Sequence, residues 1–107
     1  MRLMVFFDLP TRTPEERKVY QRFRNFLLKD GYHMIQFSVY ARICGGMDRL
    51  DKHMTRLKAN LPDRGHVRCM SVTEKQYAAM QILLGEETPE EKQGNSVQLV
   101  FFDDGFL

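Results

Sequence analysis

The sequence has no tryptophan, two cysteines, four prolines, and no apolar stretch near the roughly 20 residues that a membrane-crossing helix needs. Cys44 and Cys69 could form at most one bridge, so a disulfide-stapled scaffold is excluded, and both read as buried thiols acting as small apolar groups. No Cys-x-x-Cys pair occurs, and His33, His53 and His66 lie far apart, so no zinc site is expected. Gly45-Gly46 lacks the pattern of a phosphate-cradling loop. Neither Ser38 nor Ser71 has an evident histidine partner for nucleophilic catalysis. The opening run from Met1 meets Asp8 and Pro10 too soon for a signal peptide and carries no small-residue cleavage site. A cytoplasmic protein without membrane contact is the expectation.

What is present suits one compact domain over residues 1–107, with 43% apolar and 11% aromatic residues. The net charge of +2 hides an uneven distribution. Residues 1–85 form a basic body with 15 Lys/Arg against 8 Asp/Glu, whereas 86–107 form an acidic loop and tail with Lys92 against six acids. A basic body attracts polyanions, although ordinary solvated surface has the same composition.

Leu3–Phe7 is a continuous apolar run ending at Asp8, as in a strand buried on both faces. Thr13, Pro14 and Glu16 spell a helix start with a capping box. Val19, Tyr20, Phe23, Phe26 and Leu27 then share one helical face, and Gly31 ends the element. Ile35 to Ile43 alternates apolar and polar, which predicts a single strand with one wet face. Met47, Leu50, Met54, Leu57 and Leu61 predict a second helix stopped by Pro62, and Val67–Val72 a third strand. Thr73 and Gln76 repeat the capping box over a short turn, Gln81–Leu84 reads as a fourth strand, and Val97–Phe102 as a late one. Two amphipathic helices on one face of a largely antiparallel sheet make an α+β, ferredoxin-like two-layer sandwich. The other face would still display apolar side chains, which predicts a homodimer, with the C-terminal strand exchanged or added across the interface.

Several stretches resemble the CRISPR-associated protein two family, the smaller of the two spacer-acquisition proteins. They are Leu3–Pro10 (LMVFFDLP), the basic helix from Thr13 to Gly31, Gln36–Tyr40 (QFSVY) and Val72–Gln76 (VTEKQ), in the family's order and spanning most of the chain. VTEKQ and the late LVFF are similar to members from Cas9-type (type II) systems. The resemblance implies a ferredoxin-like homodimer that bridges two dimers of the CRISPR integrase subunit, with double-stranded protospacer DNA lying across the assembly. It further implies, as for many members, a Mg²⁺-dependent endoribonuclease or endodeoxyribonuclease activity, with one strand-end aspartate from each subunit. Asp8 occupies that position.

For Asp8, residue chemistry leaves two readings. A carboxylate ending a buried strand could face its mate across a two-fold axis and bind Mg²⁺, or it could accept backbone amides in the turn before Pro10. Residue chemistry favours the turn, and the resemblance brings the two level. Arg12, Arg17, Lys18, Arg22 and Arg24 lie at or on the first helix, off its apolar face, and are the candidate nucleic-acid contacts. Arg49, Lys52, Arg56 and Lys58 repeat the pattern on the second helix. Any one of them can be a solvated surface charge, whereas one sign repeated over both helices suits phosphate contact without sequence readout. Tyr20, Phe23, Phe26, Phe37 and Tyr40 read as core or dimer interface, so no aromatic series is expected for base stacking. The leading expectation is an architectural adaptation subunit. The rivals are a Mg²⁺-dependent nuclease working through Asp8 and, outside the family, a small metabolite-binding regulatory domain.

Overall fold

The computed structural model describes residues 1–91. Its elements are β1 (Arg2–Asp8), α1 (Pro14–Lys29), β2 (His33–Gln36), β3 (Val39–Ile43), α2 (Met47–Ala59), β4 (His66–Val72) and α3 (Glu74–Ala78). The strands lie in the order β2-β3-β1-β4 and every neighbouring pair is antiparallel. This is the expected ferredoxin-like α+β arrangement. β1 is central, which explains its unbroken apolar run. Leu3, Val5 and Phe7 point into a core shared with Tyr40 of β3, Phe23 and Leu27 of α1, and Leu50 and Leu57 of α2.

α1 begins where the capping box predicts. The Thr13 hydroxyl accepts the Glu16 amide at 3.1 Å, and the Glu16 carboxylate accepts the Thr13 amide at 2.9 Å. Gly31 follows the helix with φ +93°, and a β-carbon there would sit 2.9 Å from the Arg42 guanidinium. Position 31 therefore favours glycine for its conformation, since the Arg42 side chain could move aside.

Two expected elements differ. The Ile35–Ile43 run is a hairpin rather than one strand, turning through Phe37-Ser38 with Gln36 opposite Val39. A two-residue loop by itself inverts period-two parity, and the register shift between Met34 and Gln36 restores it, so Ile35 shares a face with Val39 and Ala41 and the alternation conceals the turn. Gln81–Leu84 forms no strand, and Leu83 and Leu84 are almost wholly exposed. A strand needs a partner edge, and α3 has instead turned the chain over the second sheet face.

That second face is partly covered. Tyr77 of α3 buries itself with Met4, Ala41 and Val72. The Arg2 guanidinium lies 3.9 Å from the centre of the Tyr77 ring and pairs with Glu74 at 2.8 Å. The Tyr77 hydroxyl donates to the buried Glu91 carboxylate at 2.7 Å. The rest of the face stays apolar and open, with Phe6 and Val39 half-buried and Ile43 and Met70 more than half exposed. The Val97–Phe102 strand and its exchange lie outside the described residues. Among those residues no helix is long and apolar enough to cross a membrane.

Candidate functional site

Three segments converge where β1 ends. The Phe7 amide donates to the Ser38 carbonyl at 3.1 Å, tying the hairpin tip to the strand. Asp8 is register partner to His66, the first residue of β4. The loop before β4 can approach this closely because residue 65 is glycine. Gly65 has φ +86°, and a β-carbon there would lie 2.6 Å from the Asp8 carbonyl and from the Leu9 side chain. The result is a shallow depression of about 270 Å³ in which Asp8, Ser38, His66 and Arg68 meet the apolar Phe6 and Val39.

Asp8 is exposed, and among the described residues its carboxylate holds neither a hydrogen bond nor an ion pair. The turn reading of Asp8 is therefore corrected, because other groups pin the loop. The Arg17 guanidinium donates to the carbonyls of Thr11 at 3.2 Å and Arg12 at 3.1 Å. Ser38 and His66 line the same depression without a hydrogen bond between them. His66 and Arg68 have no local signal that marks them as site residues. Only the β1–β4 register brings them opposite Asp8 and Phe6.

The five basic candidates separate into three groups. Arg12 and Arg17 sit at the exit of β1, where Arg17 shapes the loop. Arg24 donates to the Tyr40 hydroxyl at 3.0 Å and is half-buried. Lys18 and Arg22 lie on another side of α1, one turn apart, and Lys29 continues their row. These three line a groove of about 710 Å³ with the amides of Gln21, Asn25 and Asn60. Among the described residues none of the three forms an ion pair. On α2, Arg56 is already engaged, donating to Asp30 at 2.8 Å and lying 2.6 Å from the His53 Nδ1. Arginine has only donors, so Nδ1 accepts and the ring is neutral. Burial first, then the Arg42 and Arg56 guanidiniums, push the His53 pKa below the usual histidine value and outweigh the upward pull of Asp30, 3.9 Å away.

Cysteines and aromatics complete the comparison. Cys44 is buried, and burial raises its thiol pKa. Cys69, on the edge strand β4, is exposed, contrary to expectation. Phe23 and Tyr40 are core as predicted, and Tyr20 and Phe26 pack against it. Phe37 belongs to no core, being 77% exposed at the hairpin tip.

Comparison with known proteins agrees with the fold and the order of these elements. The family model described as CRISPR associated protein Cas2 matches residues 1–80. The "CRISPR-associated endoribonuclease Cas2" of Acidovorax ebreus (strain TPSY) is 54% identical over 102 residues, covering 95% of this chain and all of that protein. The protein of the same name from Campylobacter jejuni is 44% identical, over 96% of this chain and 72% of its own length. A crystal structure of Streptococcus pyogenes Cas2 at pH 6.5 superposes with a TM-score of 0.60 over 78% of this chain and 99% of that one, at 19% identity, and so speaks for the fold. With a family model spanning three quarters of its length and a full-length relative identical at more than half of the aligned positions, this chain belongs to the Cas2 family of CRISPR-associated proteins.

Proposed function

We propose that two copies associate through the second sheet face into an architectural subunit of CRISPR spacer acquisition, which bridges two integrase dimers and holds double-stranded protospacer DNA by its backbone. The observation that carries this reading is the row Lys18, Arg22 and Lys29 on α1, three cations with no ion pair among the described residues, lining one groove. Two-fold symmetry would repeat the row. Phosphate contact by such a row is independent of sequence and steeply salt-dependent. Replacing all three by alanine should weaken duplex binding and reduce the slope of log affinity against log salt by about one for each phosphate no longer neutralised. An unchanged slope removes the groove from the DNA path. Sedimentation of the wild-type protein as a monomer at micromolar concentration removes the bridge.

A second reading is favoured by the free Asp8 carboxylate and by the endoribonuclease names of the relatives. In it, Asp8 from each of two copies holds Mg²⁺ and the site hydrolyses phosphodiester bonds of RNA or DNA. The donors fit. Magnesium takes one or two carboxylates and keeps several waters, and Asp8 is an uncommitted hard-oxygen ligand. Bound there, the ion would polarise the scissile phosphate. Arg68 supplies a charge to orient that phosphate, and Phe6 and Val39 limit water on one side. Asp8→Ala distinguishes the readings: under the first, spacer acquisition is normal; under the second, cleavage and acquisition are lost while duplex affinity is kept. The metabolite-binding alternative stood outside the family, and membership sets it aside.

A further inference from the structure

The rings around the end of β1 form a ladder with one open end. Phe7, directly before Asp8, lies 5.6 Å from the Tyr40 ring and 5.9 Å from that of Tyr20. Tyr20 in turn stacks on Phe37 at 6.3 Å, with the planes only 22° apart. Phe37 leaves 77% of its surface in water, and the next residue, Ser38, holds a left-handed backbone with φ +64°. Apart from its stack on Tyr20 the ring is open to water, and backbone strain such as that at Ser38 gathers at ligand sites. The ring leans on α1 through Tyr20, on the helical side of the sheet, away from the open second face.

Two cations on the adjoining side of α1 are held in place by the chain. Arg17 and Arg24 share with Tyr20 one side of α1, at i−3 and i+4. Arg17 is held by two loop carbonyls and Arg24 by the Tyr40 hydroxyl. An exposed aromatic face can stack on a base, while cations on the adjoining side of the helix attract its phosphate. The bases of an intact duplex are already stacked on each other, so this arrangement selects unpaired nucleotides.

We propose that Phe37 is a nucleobase-stacking platform and that the β1 end of the molecule takes an unpaired nucleotide of a single-stranded nucleic acid. The platform rests on the hydrolytic reading of Asp8 in one respect: a strand held on Phe37, on the helical side, would pass round the end of β1 to reach Asp8, whose depression opens on the other face. Binding itself is tested with chelator present, where no metal-dependent cleavage occurs. With the full chain and a fluorescent single-stranded oligonucleotide in EDTA, Phe37→Leu should weaken binding about tenfold. Phe37→Trp should restore it, and duplex affinity should change less than twofold in both variants. A strand with an abasic residue in place of each base should bind the wild type as weakly as the intact strand binds Phe37→Leu. The proposal is overturned if Phe37→Leu binds the intact strand like wild type. It is equally overturned if that variant sediments as a smaller species, which makes the ring an interface residue. An Asp8→Asn variant that still cleaves ends the hydrolytic reading, while a tenfold loss at Phe37 in EDTA continues to support the platform.

Discussion

Gly65 shows how one residue holds the Asp8 neighbourhood together. Its positive φ and the 2.6 Å approach to the Asp8 carbonyl admit no side chain. Gly65→Ala should cost roughly 1–3 kcal/mol, the usual size of local backbone strain, measurable as a lower denaturant midpoint. The same change should move His66 away from Asp8, visible as altered chemical shifts at both positions. Tyr77 is a second single-residue case. Removing its hydroxyl in Tyr77→Phe takes a donor from the buried Glu91 carboxylate and, among the described residues, leaves the bonds from Thr88. A loss of about 1–3 kcal/mol is expected in equilibrium unfolding, and a change within error would mean that water replaces the hydroxyl.

At the scale of elements, both capping boxes are present, and each satisfies amides that the first helical turn cannot. Thr13→Ala should destabilise by about 1 kcal/mol. The amides of Thr13 and Arg12 and the Thr13 hydroxyl hold the Glu16 pKa below the usual carboxylate value. A depressed acid contributes stability above its unfolded pKa and loses it as pH falls through the folded one. Glu16→Gln keeps the box without the charge, so its unfolding midpoint should fall less between neutral and acid pH than that of wild type. The β2–β3 hairpin carries the other lesson of this scale. Its two-residue turn contains neither Gly nor Asn, so nothing local announced it.

At the scale of the molecule, His53 ties the end of α1 to α2 and β3 through Asp30, Arg56 and Arg42. Its folded pKa lies below the ordinary histidine value of about 6.5, so below that pH the unfolded chain binds more protons than the folded one. Stability should therefore decline as pH drops from about 6.5 through the lower folded value. His53→Gln should flatten this part of the curve in denaturant titrations. A variant with the same slope as wild type would assign the acid loss to other groups. Family membership and the open apolar part of the second sheet face both bear on assembly, and sedimentation velocity reads it directly.

Patterns within a few residues of each other carried much of this protein in its sequence. The β1 run, both capped helices, the placement of Asp8 at a strand end and the family-like stretches depend on spacing along the chain, because caps and amphipathic faces are made by near neighbours. Relations between distant segments did not have that property. Packing of whole elements chose the β1–β4 register that sets His66 against Asp8, and it folded α3 over the second face, leaving Gln81–Leu84 unpaired. It divided five arginines and lysines among a loop, a core contact and a groove, and it left Phe37 and Cys69 exposed. A one-residue change of register turns every side chain of a strand to the other face while leaving local composition untouched, so those outcomes belong to the tertiary structure.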